Sequence, residues 1–301
     1  MTQKRRLAYL ALLGNVVIWG AALPIVKPAL EIITPYYFLL LRYLVAAVFM
    51  LPLLFFVWPK HALASLKLII PIEIVQIILS LGFLYAGLAR TPALTASLIA
   101  STAPIFVTLG GLFFLKEREE KREWFGLSLS IFGTLILLLS STTVDHTLSH
   151  NSLGIFFLLL YQLANMTYLL LAKKHYHHQN KLFVTAISCL VGLVGFSLLA
   201  PLLGPTPSMA YLFASPEVIR AVLYMGILGS PVALALLLYG QAKIEVSEAT
   251  LFTYLQPLIY IPLSIIWLGD RFYPAQLLGL LLIVLGVILA ESRRRQIKLH
   301  A

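Results

Sequence analysis

Residues 96–133 read ASLIASTAPIFVTLGGLFFLKEREEKREWFGLSLSIFG, and residues 249–286 read ATLFTYLQPLIYIPLSIIWLGDRFYPAQLLGLLLIVLG. Laid side by side, they pair Ala96 with Ala249, Pro104 with Pro257, Leu115 with Leu268, Glu117 with Asp270, Gly126 with Gly279 and Gly133 with Gly286, all at an offset of 153 residues (104 to 257). Arg90 with Lys243, and Arg118 with Arg271, keep the same spacing. One offset shared by so many positions marks an internal duplication. Each copy holds an apolar run, a short polar loop and a second apolar run. The runs do not alternate and are too long for barrel strands, so the repeated unit is helical.

The rest of the chain extends this pattern. Of its 301 residues, 60% are hydrophobic and 11% charged, with a mean hydropathy of +0.93. A soluble domain is about 45–50% apolar and about 25% charged. A bilayer core needs roughly 20 apolar residues per helix. Such segments fall at Leu7–Val26, Pro35–Val57, Leu68–Leu88, Pro92–Leu115, Trp124–Ser141, Leu153–Ala172, Leu182–Leu203, Val218–Tyr239, Ser247–Leu268 and Pro274–Ala290. The expected fold is an all-α integral membrane protein. It has ten transmembrane helices as two five-helix repeats, residues 1–145 and 146–301. Five is odd, so the second repeat starts from the opposite side and is inverted.

Lysine and arginine set the orientation. With the N-terminus in the cytoplasm, most basic residues fall on that side, from Lys4, Arg5 and Arg6 to Arg293, Arg294 and Arg295. The far side keeps Lys27, Arg90, Arg220 and Arg271. Both termini are therefore expected in the cytoplasm, in a multi-pass protein of the cytoplasmic (inner or plasma) membrane. The basic start followed by an apolar run raises a signal peptide, but the run continues to Val26, longer than a signal core. The net charge of +10 does not point to nucleic acid, because the basic residues cluster between apolar segments instead of lining one face. Cys189 is the single cysteine and makes no internal disulfide.

The chain resembles the drug/metabolite transporter (DMT) superfamily in its EamA-type ten-helix form. The resemblance rests on Asn15-x-x-x-Trp19-Gly20, on Leu41-Arg42-Tyr43, and above all on the doubled unit quoted first. It implies an exporter or exchanger of amino acids, nucleotide precursors, sugars or other metabolites, with no fixed substrate. Independently, inverted repeats are a recurrent plan of secondary transporters, with the solute bound between the halves near the midplane.

A solute path through hydrocarbon needs inward polar groups. Asn15 and Trp19 lie four apart on the first helix, and Tyr161, Asn165 and Tyr168 share a face of the sixth; both sets suit either substrate lining or interhelical hydrogen bonding. Glu73, Gln76 and Ser80 form a stripe on the third helix, whose counterparts are Gly226, Gly229 and Ala233. Glu73 is a candidate proton carrier. The favoured alternative has it near the cytoplasmic interface, reaching water beside Lys67. Arg42, inside the second span, is read first as a structural anchor and second as a counter-charge for an anionic solute. Ser97 and Ser101 match Thr250 and Tyr254, and Pro104 and Pro257 follow as paired hinges or static kinks. The glycine pairs seven apart, Gly126 and Gly133 with Gly279 and Gly286, suit close packing between the repeats.

Other chemistry finds no support. His175, His177 and His178 sit in a lysine-flanked loop without the rigid frame of a zinc site. No phosphate loop, His-Glu-x-x-His or Gly-x-Ser-x-Gly occurs. No cofactor, metal or catalytic residue is expected. An intramembrane enzyme and a non-transporting scaffold or sensor are the alternative classes. The two halves supply each other's pairing, so a monomer is expected, with a small-molecule solute and the lipid bilayer as partners.

Overall fold

The computed structural model describes residues 3–90, 103–116, 121–142, 152–208, 215–268 and 274–292. Among them helix predominates and no strand occurs. We number the helices α1 (Gln3–Ile32), α2 (Pro35–Val57), α3 (Ala62–Leu88), α4 (Ala103–Leu115), α5 (Lys121–Thr142), α6 (Ser152–His175), α7 (Lys181–Leu203), α8 (Pro216–Gln241), α9 (residues 246–268) and α10 (Pro274–Ser292). Pro35 and Pro216 open α2 and α8, positions where the missing N–H costs nothing. Six of these helices (α1, α2, α3, α6, α7 and α8) are long and apolar enough to cross a membrane. Their outer faces carry large apolar side chains; Phe55, Phe56 and Leu202 are 84%, 85% and 79% exposed.

Two helices depart from regular geometry at matching places. α3 is α-helical over Ala62–Glu73, widens to a π-helix over Ile74–Ser80 and resumes at Leu81–Leu88. α8 does the same over Pro216–Tyr224, Met225–Val232 and Ala233–Gln241. Proline stands by each: Pro71 just before the first π turn, Pro231 inside the second. A proline withholds one helical hydrogen bond, which eases a local change of register. α9 tightens instead, to a 3₁₀ turn over Phe252–Leu255, directly before Pro257.

The packing crosses the midpoint of the chain. α2 lies along α7, and α5 along α10. Both pairs run antiparallel: Trp58 meets Phe183 while Tyr43 meets Phe196. α1 packs on α8 and α9, and α6 packs in the equivalent way on α3 and α4. Glycine permits the closest of these contacts. A Cβ on Gly133 would lie 2.6 Å from the Gly279 carbonyl, and one on Gly286 would lie 2.5 Å from the Gly126 carbonyl. The Ser130 hydroxyl completes the seam by donating to the Ile283 carbonyl at 3.3 Å. The expected glycine seam is thus the α5–α10 contact.

Buried apolar side chains gather in two clusters. One, toward the end where α1 begins, draws on α1, α3, α4, α6, α7, α8 and α9, with Leu12, Ile69, Val107, Tyr168, Phe183, Leu237 and Phe252. The other, toward the opposite end, is built from α1, α2, α3, α7 and α8, with Val26, Tyr37, Tyr43, Tyr85, Phe196 and Val218. α6 also packs at the other end, where Leu158 is fully buried beside Gly87 and Phe157 stacks on Phe83.

α4 ends at Lys116, whose φ of 55° is left-handed. The repeat places Gly269 at the matching position. A side chain in that conformation costs roughly 1–2 kcal/mol. Lys116→Gly is therefore expected to leave the fold intact and raise stability by about 0.5 kcal/mol after glycine's own entropy is counted, read as a small rise in thermal midpoint.

Candidate functional site

The π turn of α8 is held by donors from two other helices. Asn15 donates from Nδ2 to the Ala233 carbonyl at 2.9 Å, and Trp19 from Nε1 to the Gly229 carbonyl at 3.0 Å. Arg42, buried on α2, donates from Nε to the Ser230 hydroxyl at 2.6 Å, with Nη2 3.5 Å from the Gly229 carbonyl. Its guanidinium carbon lies 5.3 Å from the Tyr43 ring centre, a cation–π arrangement that spreads the charge over an aromatic face. Arg42 forms no ion pair among the described residues. Gly226 lets α2 approach: a Cβ there would lie 2.6 Å from Val45 and 3.0 Å from the Arg42 carbonyl.

The π turn of α3 shows the opposite chemistry. Glu73, Gln76 and Ser80 are buried, and Glu73 and Ser80 are wholly inaccessible. Glu73 Oε1 accepts a hydrogen bond of 2.9 Å from the Tyr176 hydroxyl, which follows the end of α6. Glu73 Oε2, Gln76 Oε1 and Ser80 Oγ have no partner at hydrogen-bond distance, nor has the hydroxyl of Tyr168, also fully buried on α6; the Ser188 hydroxyl stands near the Glu73 carboxyl but donates to the Val184 carbonyl at 2.9 Å. Tyr168 lies within electrostatic reach of Glu73. Burial first, and then the Glu73 carboxyl, hold the Tyr176 hydroxyl protonated, far above an ordinary phenol, so it remains a donor.

This placement corrects the reading of Glu73 as an interfacial carboxylate beside Lys67. α3 begins at Ala62, not Leu68, which makes Glu73 its twelfth residue. At 1.5 Å per residue it lies about 16 Å from the helix start. Lys67 is exposed and Glu73 is not. The two halves also share more than the side chains showed, because Gly226 and Gly229 occupy a π turn equivalent to that of Gln76 and Ser80.

Polar contacts tie the helices together on the N-terminal side. Arg5 Nη2 lies 2.6 Å from Glu248 Oε1, and Tyr9 donates to the same oxygen at 2.6 Å. Both charged side chains are close to fully buried, 11% and 6% exposed. Lys173, at the end of α6, donates to the carbonyls of Gln241 (2.8 Å) and Ile244. Gln241 returns a bond of 2.6 Å to the Leu169 carbonyl. α1 is thereby tied to the start of α9, and α6 to the corner between α8 and α9.

The structure thus brings Asn15, Trp19 and Arg42 together on one π turn, and Glu73, Gln76 and Tyr168 around the other. Tyr161 and Asn165 lie half-buried on α6. Ser97 and Ser101 lie outside the described residues, as do the side chains of Pro104, Thr250, Tyr254 and Pro257. Sequence reasoning missed Tyr176, Ser230 and Glu248. Glu248 carried a signal: a carboxylate opening an apolar span whose repeat counterpart is Thr95. Tyr176 stands in a basic, histidine-rich loop and gave none.

The family model described as the EamA-like transporter family matches residues 6–139 and again 152–291. The chain therefore belongs to the EamA-like transporter family, and it is a multi-pass membrane protein. It is 26% identical over 276 residues to the uncharacterized transporter YdfC of Bacillus subtilis, covering 90% of this chain and 86% of that one. It is 24% identical over 279 residues to the "Probable amino-acid metabolite efflux pump" of Escherichia coli, covering 90% of each. It is 27% identical over 218 residues to the "Probable terminal-alkyne amino-acid exporter" of Streptantibioticus cattleyicolor, covering 69% of this chain and 67% of that one. A solved crystal structure superposes with a TM-score of 0.79 at 17% identity, over 97% of this chain and 98% of the other, a likeness of fold.

Proposed function

We propose that this chain is a secondary transporter of the cytoplasmic membrane, exporting or exchanging a small metabolite such as an amino acid. In this reading it has ten spans, as two inverted five-helix repeats over residues 1–145 and 146–301. Both termini are cytoplasmic, and the protein acts as a monomer. The repeats alternate access to a polar centre between them, with Pro104 and Pro257 at flexing points. The observation that carries the reading is the pair of π turns, each with a buried face, at equivalent places in α3 and α8. π segments recur at functional sites, and irregular membrane helices line the solute sites of transporters. The N-terminal seal fits one end state of the cycle, closed toward the cytoplasm. The names of two relatives, a probable amino-acid metabolite efflux pump and a probable terminal-alkyne amino-acid exporter, favour amino-acid-like solutes. Purified protein in liposomes is expected to move at least one solute of an amino-acid and metabolite panel; absence of flux across the panel contradicts the proposal.

Glu73 is the candidate for proton coupling. The groups near it are Tyr168 and Tyr176 from the α6 end, Ser188 and Cys189 on α7, and Tyr43 on α2. A carboxyl so enclosed exchanges its proton only when the path opens. Glu73→Gln is expected to abolish accumulation driven by a pH gradient and to spare solute exchange. Undiminished accumulation would remove Glu73 from the coupling step.

A further inference from the structure

We propose that the π turn of α3 is a subsite for a primary ammonium group carried by the solute. The contrast between the two π turns carries the proposal. In α8 the chain itself supplies donors, from Asn15, Trp19 and Arg42. In α3 the equivalent turn and Glu73 just before it present acceptors: Glu73 Oε2, Gln76 Oε1 and Ser80 Oγ, each buried and each without a partner at hydrogen-bond distance. Buried polar groups are nearly always paired, so three unpaired oxygens along the Glu73–Ser80 stretch of α3 call for a ligand of matching chemistry. A primary ammonium has three N–H donors and one positive charge. That is one donor for each oxygen, and one charge for the Glu73 carboxylate.

Other features fit the same ligand. Tyr176 holds Oε1 of Glu73 and leaves Oε2 aimed elsewhere. Tyr168 adds a buried aromatic wall within electrostatic reach of the carboxyl, and an organic cation gains from such a face. The positions matching Glu73, Gln76 and Ser80 are Gly226, Gly229 and Ala233, so the acceptor set occurs once in the duplicated fold. The ammonium of a free amine and that of an amino acid are the same group to this turn. The subsite rests on the transport reading for its purpose, but binding is measurable without transport.

The test uses the purified full-length chain at one fixed, mildly alkaline pH. Phenethylammonium chloride is the probe, with N-acetylphenethylamine and sodium chloride as controls, and thermal midpoint as the readout. Saturable stabilisation by phenethylammonium alone is expected. Glu73→Gln is expected to weaken it at least tenfold. Gln76→Leu, which leaves the carboxyl in place, is expected to weaken it several-fold and serves if Glu73→Gln does not fold. Equal stabilisation by the acetylated compound or by sodium, undiminished binding in the variants, or no saturable response overturns the subsite. Flux in liposomes separates the two readings. Flux of some solute without amine binding overturns the subsite and leaves transport standing, whereas amine binding without any flux does the reverse.

Discussion

Glu248→Ala is expected to open the N-terminal side. In the sealed state Glu248 accepts from both Arg5 and Tyr9 through one oxygen, and both charges are nearly buried. Removing one partner of a buried ion pair costs about 3 kcal/mol or more, because its charge-assisted bond is lost while Arg5 stays buried. In the proposed cycle the cost falls on the sealed state, since Arg5 would be hydrated once α1 and α9 separate. A change of 3 kcal/mol moves a two-state equilibrium by roughly 150-fold. A cysteine placed at Leu12, buried in the N-terminal cluster, is expected to be protected in the parent and labelled by an aqueous thiol reagent in the Glu248→Ala background. Glu248→Gln keeps an acceptor for Tyr9 and is expected to fall between. Equal protection of Leu12→Cys in all three backgrounds would show that the ion pair does not hold the seal.

The second large effect is at the α5–α10 seam. Gly286→Leu puts a branched side chain where a Cβ alone lies 2.5 Å from a backbone carbonyl and against Ser130. No rotamer relieves a clash with backbone, so the two helices must separate. Overpacking of this kind costs about 3 kcal/mol. For a chain of this size that is a fall of roughly 6–12 °C in apparent thermal midpoint. Gly82→Ala is the control, because nothing lies within 4 Å of a Cβ there. It is expected to be neutral or slightly stabilising, since alanine is the better helix former. A seam variant as stable as the parent would mean that α5 and α10 do not meet through their glycines.

Much of this was legible in the residues because it is written in side chains at fixed spacing. The 153-residue offset identified equivalent helices, the glycines seven apart marked the α5–α10 seam, and α2 begins and ends where Pro35 and Val57 put it. The π turns were not legible, since they are changes of backbone hydrogen bonding with no apolar periodicity of their own. Glu73 was misplaced for a related reason. His61, Ser65 and Lys67 read as loop, yet they begin a helix that carries Glu73 into the interior. α1 was cut short at Val26 because Lys27 and Pro28 look like a helix end, whereas the helix continues to Ile32. Asn15 and Trp19 were grouped by their spacing on one helix, and Arg42 was read apart from them. Their common target on α8 is a tertiary fact that spacing along one helix does not contain.

Alternating access to the polar centre is the central claim, and a cysteine at Asn165 tests it most directly. Asn165 is half-buried on α6, three residues from Tyr168. With Cys189 replaced by alanine, Asn165→Cys would be labelled by an impermeant reagent in vesicles of each orientation, with and without Glu248→Ala. Labelling from the side opposite the N-terminus in the parent, switching to the N-terminal side when the seal is broken, is the predicted result. Labelling from both sides in a single state, or protection from both sides in both backgrounds, would contradict it.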